Sequence, residues 1–162
     1  RFFNIYSADM KARAEELGMT LDEVVTLASI IEKEAKTADF YKVSAVFHNR
    51  LKAGMKLESD ATIKYVTGSK TILTSENEMD IESPYNTYKV NGLPAGAICN
   101  VGKRALLAAL NPDPDYVEQN YLYFVLKDPE VGDLQFSKTL EEHNAAVELY
   151  KPLWEKYDRE HS

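Results

Sequence analysis

The chain has 162 residues, 44% of them hydrophobic and 28% charged, with a formal net charge of -7. That length fits one domain with a sizeable core, and the acidic balance argues against nucleic acid as the main partner, because phosphate binding needs a basic footprint. The lone Cys99 precludes an internal disulfide, no run approaches the roughly 18 apolar residues of a membrane span, and the opening Arg1-Phe2-Phe3 reads as a fragment of something longer.

The spacing predicts a first helix over 7–17, with Gly18 as its stop. A second helix runs over 20–35, opened by a capping box of Thr20 and Glu23. A third covers 40–52, with Val43, Val46, Phe47 and Arg50 on one side and Gly54 ending it. A short helix follows Ser59 or Asp60 and reaches Val66, where Thr67-Gly68-Ser69 breaks it. Residues 71–100 read as a long ordered loop, because Pro and Gly turns alternate with aromatics. A helix over 101–110 stops at Asn111-Pro112-Asp113-Pro114. Strands over 121–126 and 134–137 flank a turn, and the last helix covers 139–157, boxed by Thr139 and Glu142. The class is α+β, mostly helical, with a small antiparallel β-sheet.

The second helix carries the sharpest chemical signal. At about 100° per residue, Leu21, Val24, Val25, Leu27, Ala28, Ile31 and Ala35 share one broad face, and Glu32 falls inside that arc. A carboxylate pressed among aliphatic neighbours is desolvated, which disfavours its charged form. A carboxylic acid that stays protonated near neutral pH is what a glycosidic leaving group needs. Glu32 equally fits a flank glutamate paired with Arg50 or a lysine. Glu34 is the weaker candidate, because it projects to the edge of the arc beside Lys33 and Lys36.

His48, His143 and His161 lack ligand spacing, and no glycine-rich phosphate loop or nucleophile elbow is present. No metal or cofactor is expected. Asp60 is either the second acid of a paired-carboxylate hydrolase or a helix cap, and the cap is favoured. One glutamate then suffices: it protonates the leaving oxygen and next takes a proton from a hydroxyl of the same sugar, closing a ring in place of water attack. In Ser83-Pro84-Tyr85-Asn86-Thr87-Tyr88, the tyrosines could stack on sugar faces while Asn86 and Thr87 bond hydroxyls, or the same groups pack the loop. Tyr65 lines a cleft or fills the core, Arg50 lies near the apolar side and so has a partner, a structural carboxylate being one option, and Cys99 reads as a buried thiol.

In these blocks the sequence resembles the YceG-like family of endolytic murein transglycosylases. The likeness rests on Leu27-Ala28-Ser29-Ile30-Ile31-Glu32-Lys33-Glu34, Val46-Phe47-His48-Asn49-Arg50-Leu51, Gly54-Met55-Lys56-Leu57-Glu58-Ser59-Asp60-Ala61-Thr62, the Ser83-to-Tyr88 loop and Gly92-Leu93-Pro94-Ala95-Gly96-Ala97-Ile98-Cys99-Asn100. It continues through Tyr121-Leu122-Tyr123-Phe124 and Phe136-Ser137 to His143-Asn144. The resemblance implies a YceG-like catalytic domain over 1–162, with a lysozyme-like glutamate, Glu32, on a helix beside a cleft. It implies substrate contacts from Asn49, Asp60, Ser83, Tyr85, Asn86, Thr87 and Asn100. It further implies cleavage of nascent peptidoglycan strands to 1,6-anhydro-N-acetylmuramic ends, which limits strand length. The full-length protein would carry an N-terminal membrane helix and a smaller domain, face the wall outside the cytoplasmic membrane, and work beside glycan polymerases. The rivals are a muramidase using Glu32 and Asp60, and a glycan-binding module without catalysis.

Overall fold

Three polar caps start the first three helices of the computed structural model, which describes residues 7–35 and 39–162. The Ser7 hydroxyl accepts the Met10 N–H at the head of α1 (Ala8–Glu16). In α2 (Leu21–Ala35) the expected box is present: Thr20 N–H donates to Glu23 at 2.8 Å and Glu23 N–H to the Thr20 hydroxyl at 3.2 Å. Asp39 accepts two N–H groups at the head of α3 (Phe40–Ala53), and Gly54 ends that helix at φ 72°, a left-handed conformation that a Cβ disfavours.

The chain continues through α4 (Asp60–Thr67), α5 (Glu76–Met79), α6 (Lys103–Leu110) and α7 (Pro114–Glu118). It ends in β1 (Tyr123–Leu126), β2 (Leu134–Ser137) and α8 (Leu140–Glu160). The strands pair antiparallel, Tyr123 opposite Ser137 and Leu126 opposite Leu134. Two short helices differ from the sequence expectation. α5 spans four residues, too few to show a helical period, and sits in the stretch expected to be loop. α7 starts inside the proline cluster that stops α6: Asp113 caps it and Pro114 takes its first position, where the missing N–H is harmless. β1 begins two residues later than expected, because the Tyr121 carbonyl bonds to Asn49 rather than to a strand partner.

α2 is the axis of the core. Val24, Leu27, Ala28, Ile30, Ile31 and Ala35 are fully buried, and so is Ser29, so its middle is covered on nearly every side and not along one face. It packs chiefly on α6, through the small Ala105, Ala108 and Ala109, with α1, α3 and α4 around it. The sheet is fastened to α3 by side chains. Asn49 donates to the carbonyls of Tyr116 at 3.1 Å and Tyr121 at 2.8 Å. Arg50 donates to those of Leu122 and Lys56, both at 2.7 Å. On the sheet's other side, Val125, Ala146 and Trp154 form a small second cluster with Ile72 and Leu73. The Trp154 indole N–H donates to the Leu126 carbonyl, and Asp158 accepts the N–H groups of Ile72 and Leu73.

Asn49 is buried and both of its amide hydrogens are spent on these carbonyls. Asn49→Ala removes both bonds, leaving the Tyr121 carbonyl without this donor while the Tyr116 carbonyl keeps the Tyr121 N–H, so the unfolding free energy is expected to drop by about 2 kcal/mol in a urea titration. An unchanged midpoint would show that the two bonds do not hold the sheet.

Candidate active-site cleft

The turn that forms the site comes from Glu58 and Ser59. Glu58 sits at φ 49°, uncommon for a residue with a Cβ, and its N–H donates to the Thr87 carbonyl at 3.2 Å. Ser59 is the cap residue of α4, yet its hydroxyl caps nothing. Its N–H donates to the Thr87 hydroxyl oxygen at 2.8 Å, its carbonyl accepts from the Thr62 hydroxyl at 2.7 Å, and its own hydroxyl donates to Glu34 Oε2 at 3.0 Å. A cap serine freed from capping thus holds the carboxylate at the end of α2.

Glu34, Arg50, Glu58, Asp60 and Tyr88 line one end of a cleft of about 760 Å³. Asp60 is the first residue of α4 and not its cap. The Tyr88 hydroxyl donates a short hydrogen bond to its carboxylate. Burial pushes the Asp60 carboxyl above the usual carboxylate range, with the Tyr88 hydrogen bond opposing. Burial, reinforced by the Asp60 charge, pushes the Tyr88 phenol up. The carboxylate partner of Arg50 is Glu58, at 3.7 Å, and the guanidinium lies 4.8 Å from the Tyr123 ring centroid. His143 of α8 stacks on Tyr123 in the same wall, and burial pushes its imidazole down. At the rim, Tyr65 is 50% exposed and pairs with Tyr85, ring centroids 5.0 Å apart.

Glu32 lies elsewhere. Two residues along a helix turn the side chain by about 200°, so Glu32 and Glu34 face nearly opposite ways. Glu32 is half-buried and accepts the N–H of Gly102, the cap residue of α6, at 3.2 Å. A carboxylate at that helix start complements its positive dipole end. It lines neither the cleft nor a second hollow formed by 95–97, 99–102 and the start of α2.

Of the expected substrate contacts, Asp60 alone lines the cleft. Asn49 is the sheet anchor described above. Asn86 is fully buried, donates to the Met79 and Ile81 carbonyls at 2.8 and 2.7 Å and accepts the Tyr88 N–H. Thr87, also fully buried, latches the loop to Ser59 and to the Thr62 hydroxyl. The Ser83 hydroxyl accepts the Tyr85 N–H inside its own turn. Tyr85 backs Tyr65 and sits against Gly96. Asn100 is exposed and lines the second hollow, as does Cys99, which is half-buried rather than enclosed. The loop therefore acts as a brace behind the site. The residues that sequence reasoning set aside or missed are Glu34, Glu58, Ser59 and Tyr88, all inside the quoted sequence blocks.

Tyr88→Phe removes a hydrogen-bond donor to the half-buried Asp60 carboxylate and is expected to cost about 2 kcal/mol of stability at neutral pH. The raised Asp60 pKa means the folded state takes up the proton more readily than the unfolded chain. Asp60 therefore weakens the fold at neutral pH, and this is relieved as pH falls through its folded pKa. The Tyr88→Phe penalty should shrink over that same acid window in parallel denaturant titrations. A penalty that stays constant with pH would separate it from the Asp60 charge.

The YceG-like family model matches residues 1–149. The chain is 40% identical over 148 residues to an endolytic murein transglycosylase of Bacillus subtilis (strain 168), covering 91% of this chain and 39% of that protein. It is 32% identical over 150 residues to one of Streptococcus pneumoniae (strain R6), covering 89% of this chain and 26% of that protein. A crystal structure of a yceG-like protein from Listeria monocytogenes superposes with a TM-score of 0.75 at 40% identity, over 85% of this chain and 44% of that one. The chain thus spans less than half the length of these relatives.

Proposed function

The chain belongs to the YceG-like family, and from that premise we propose that it is an endolytic lytic transglycosylase of peptidoglycan. It would cut between N-acetylmuramic acid and N-acetylglucosamine inside nascent strands. The observation that carries the reading is Glu34, a carboxyl on the cleft wall oriented by the Ser59 hydroxyl at 3.0 Å.

Protonated Glu34 gives its proton to the glycosidic oxygen as the bond from that oxygen to C1 of the muramic residue breaks. The departing strand leaves with a new hydroxyl. Ser59 stabilises the carboxylate so formed with a charge-assisted hydrogen bond. The carboxylate then takes the proton of the 6-hydroxyl on the same muramic residue, whose oxygen bonds to C1. The other product ends in a 1,6-anhydro ring, no water is consumed, and Glu34 is again protonated. Asp60, fixed by Tyr88, supplies negative charge beside an oxocarbenium-like transition state. Tyr65, backed by Tyr85, offers a ring face to a pyranose.

A muramidase is the second reading, since Asp60 shares the cleft with Glu34 and could direct a water. In the full-length protein, an N-terminal membrane helix would hold the domain on the outer side of the cytoplasmic membrane. There it would work beside glycan polymerases and limit strand length.

Purified uncrosslinked strands digested with wild type, Glu34→Gln and Glu32→Gln, read by mass spectrometry, test the reading. Wild type and Glu32→Gln are expected to release anhydro-ended fragments, one water lighter than hydrolytic ones. Glu34→Gln is expected to lose about 10²–10⁴-fold in turnover, the usual worth of a general acid, at an unchanged melting temperature. Reducing ends would favour the muramidase. Loss of cleavage confined to Glu32→Gln would return the acid to the residue the sequence resemblance picks.

A further inference from the structure

We propose that the far end of the cleft is a subsite for the stem peptide of the substrate strand, with Lys70 and Lys151 receiving its carboxylates. This rests on the peptidoglycan reading above. The cleft does not end at Glu34 and Asp60. It continues past Lys64 of α4 to Ile72, Leu73 and Trp154, and to Lys151 of α8. Lys151 lies eight residues beyond His143 on one helix, about 12 Å further along the wall at 1.5 Å per residue. The cleft therefore outruns the space one sugar residue needs beside Glu34.

Two properties of that end point to an acidic peptide. Its floor is apolar, made by the cluster of Ile72, Leu73, Val147 and Trp154 that joins the loop to α8. Its charge is inverted relative to the protein: Lys64, Lys70 and Lys151 line it, while the acidic lining residues Glu34, Glu58 and Asp60 sit at the other end, in a chain whose net charge is -7. The basic residues are not equivalent. Lys64 is committed to the fold, donating to the Leu73 carbonyl at 2.8 Å and to Glu78 at 3.2 Å, and so shapes the wall. Lys70 and Lys151 are exposed and have no ion-pair partner among the described residues. Two unpaired ammonium groups over an apolar floor match a short peptide carrying alanyl methyl groups and free carboxylates. The bare glycan offers only the lactyl carboxylate that stem removal exposes, held on a short ether arm at the muramic ring beside Glu34 and short of the roughly 12 Å to Lys151. A peptide hung from the muramic residue beside Glu34 would run toward Lys151, so the subsite also sets which residue of the strand lies at the acid.

The test compares kcat/KM of the intact protein on strands bearing their stem peptides and on the same strands stripped of them by an amidase. Wild type is expected to prefer stem-bearing strands by about tenfold, the sum of two solvent-facing ion pairs plus the apolar contact, and the preference should fall with added salt. In Lys70→Glu/Lys151→Glu the preference should collapse to near one, and in Lys70→Gln/Lys151→Gln it should fall part of the way, both at wild-type melting temperature. Equal wild-type rates on both strands would overturn the subsite and leave the transglycosylase reading intact. A preference that survives both double variants would also overturn it. No cleavage of either strand by the intact wild type would overturn the parent reading and the subsite together.

Discussion

The rotational phase of α2 decides which glutamate meets the cleft. Glu32 and Glu34 are about 200° apart on the helix, so no single phase presents both. Leu27, Ile30 and Ile31 are fully buried, and each contributes about 2 kcal/mol by leaving water. The Gly102 hydrogen bond to Glu32 is worth about 1 kcal/mol. Core packing therefore sets the phase, and the two glutamates take what is left. Glu32 falls beside the start of α6, and Glu34 falls beside Ser59.

The second half of the site is built by making a helix cap do something else. Ser59 stands where a hydroxyl ordinarily accepts an N–H of the first turn, yet it points at Glu34. The tight turn at Glu58 and the Thr87–Thr62 hydroxyl pair hold it there. The loop that supplies Thr87 is in turn held by Asn86, whose side chain closes it on the Met79 and Ile81 carbonyls. The polar residues that looked like sugar ligands are spent on this bracing. The groups left over for chemistry are Glu34, Asp60 and Tyr88.

Most of the architecture was legible because its signals are local. Capping boxes at Thr20 and Thr139, the stop at Gly54 and the β-branched and aromatic content of the first strand each act within a few residues. The helices at Glu76–Met79 and Pro114–Glu118 were hidden by their length and by prolines that both end and begin helices. The site was less legible for one physical reason. A one-face projection assumes that a helix has a wet side, and α2 is covered nearly all round from Val24 to Ile31. On such a helix the arc of apolar residues says nothing about where the cleft lies, and a glutamate near the open C-terminal end reaches it more easily. For Asn49, Asn86 and Thr87, residue type signalled hydrogen bonding correctly but could not say that the partners are backbone and hydroxyl groups of the same chain.

The proposed chemistry rests on one carboxyl oriented by a serine hydroxyl, a neighbouring carboxylate bonded by a tyrosine, and an apolar wall that continues past them. The most direct measurement is a crystal structure of Glu34→Gln with an uncleaved strand bound. The account predicts the scissile glycosidic oxygen within about 3 Å of the residue 34 side chain, the reach of a general acid, with Asp60 and Tyr88 on the sugar's other side. A strand seated instead in the hollow beside Gly102, with Glu32 at the scissile bond, would contradict it.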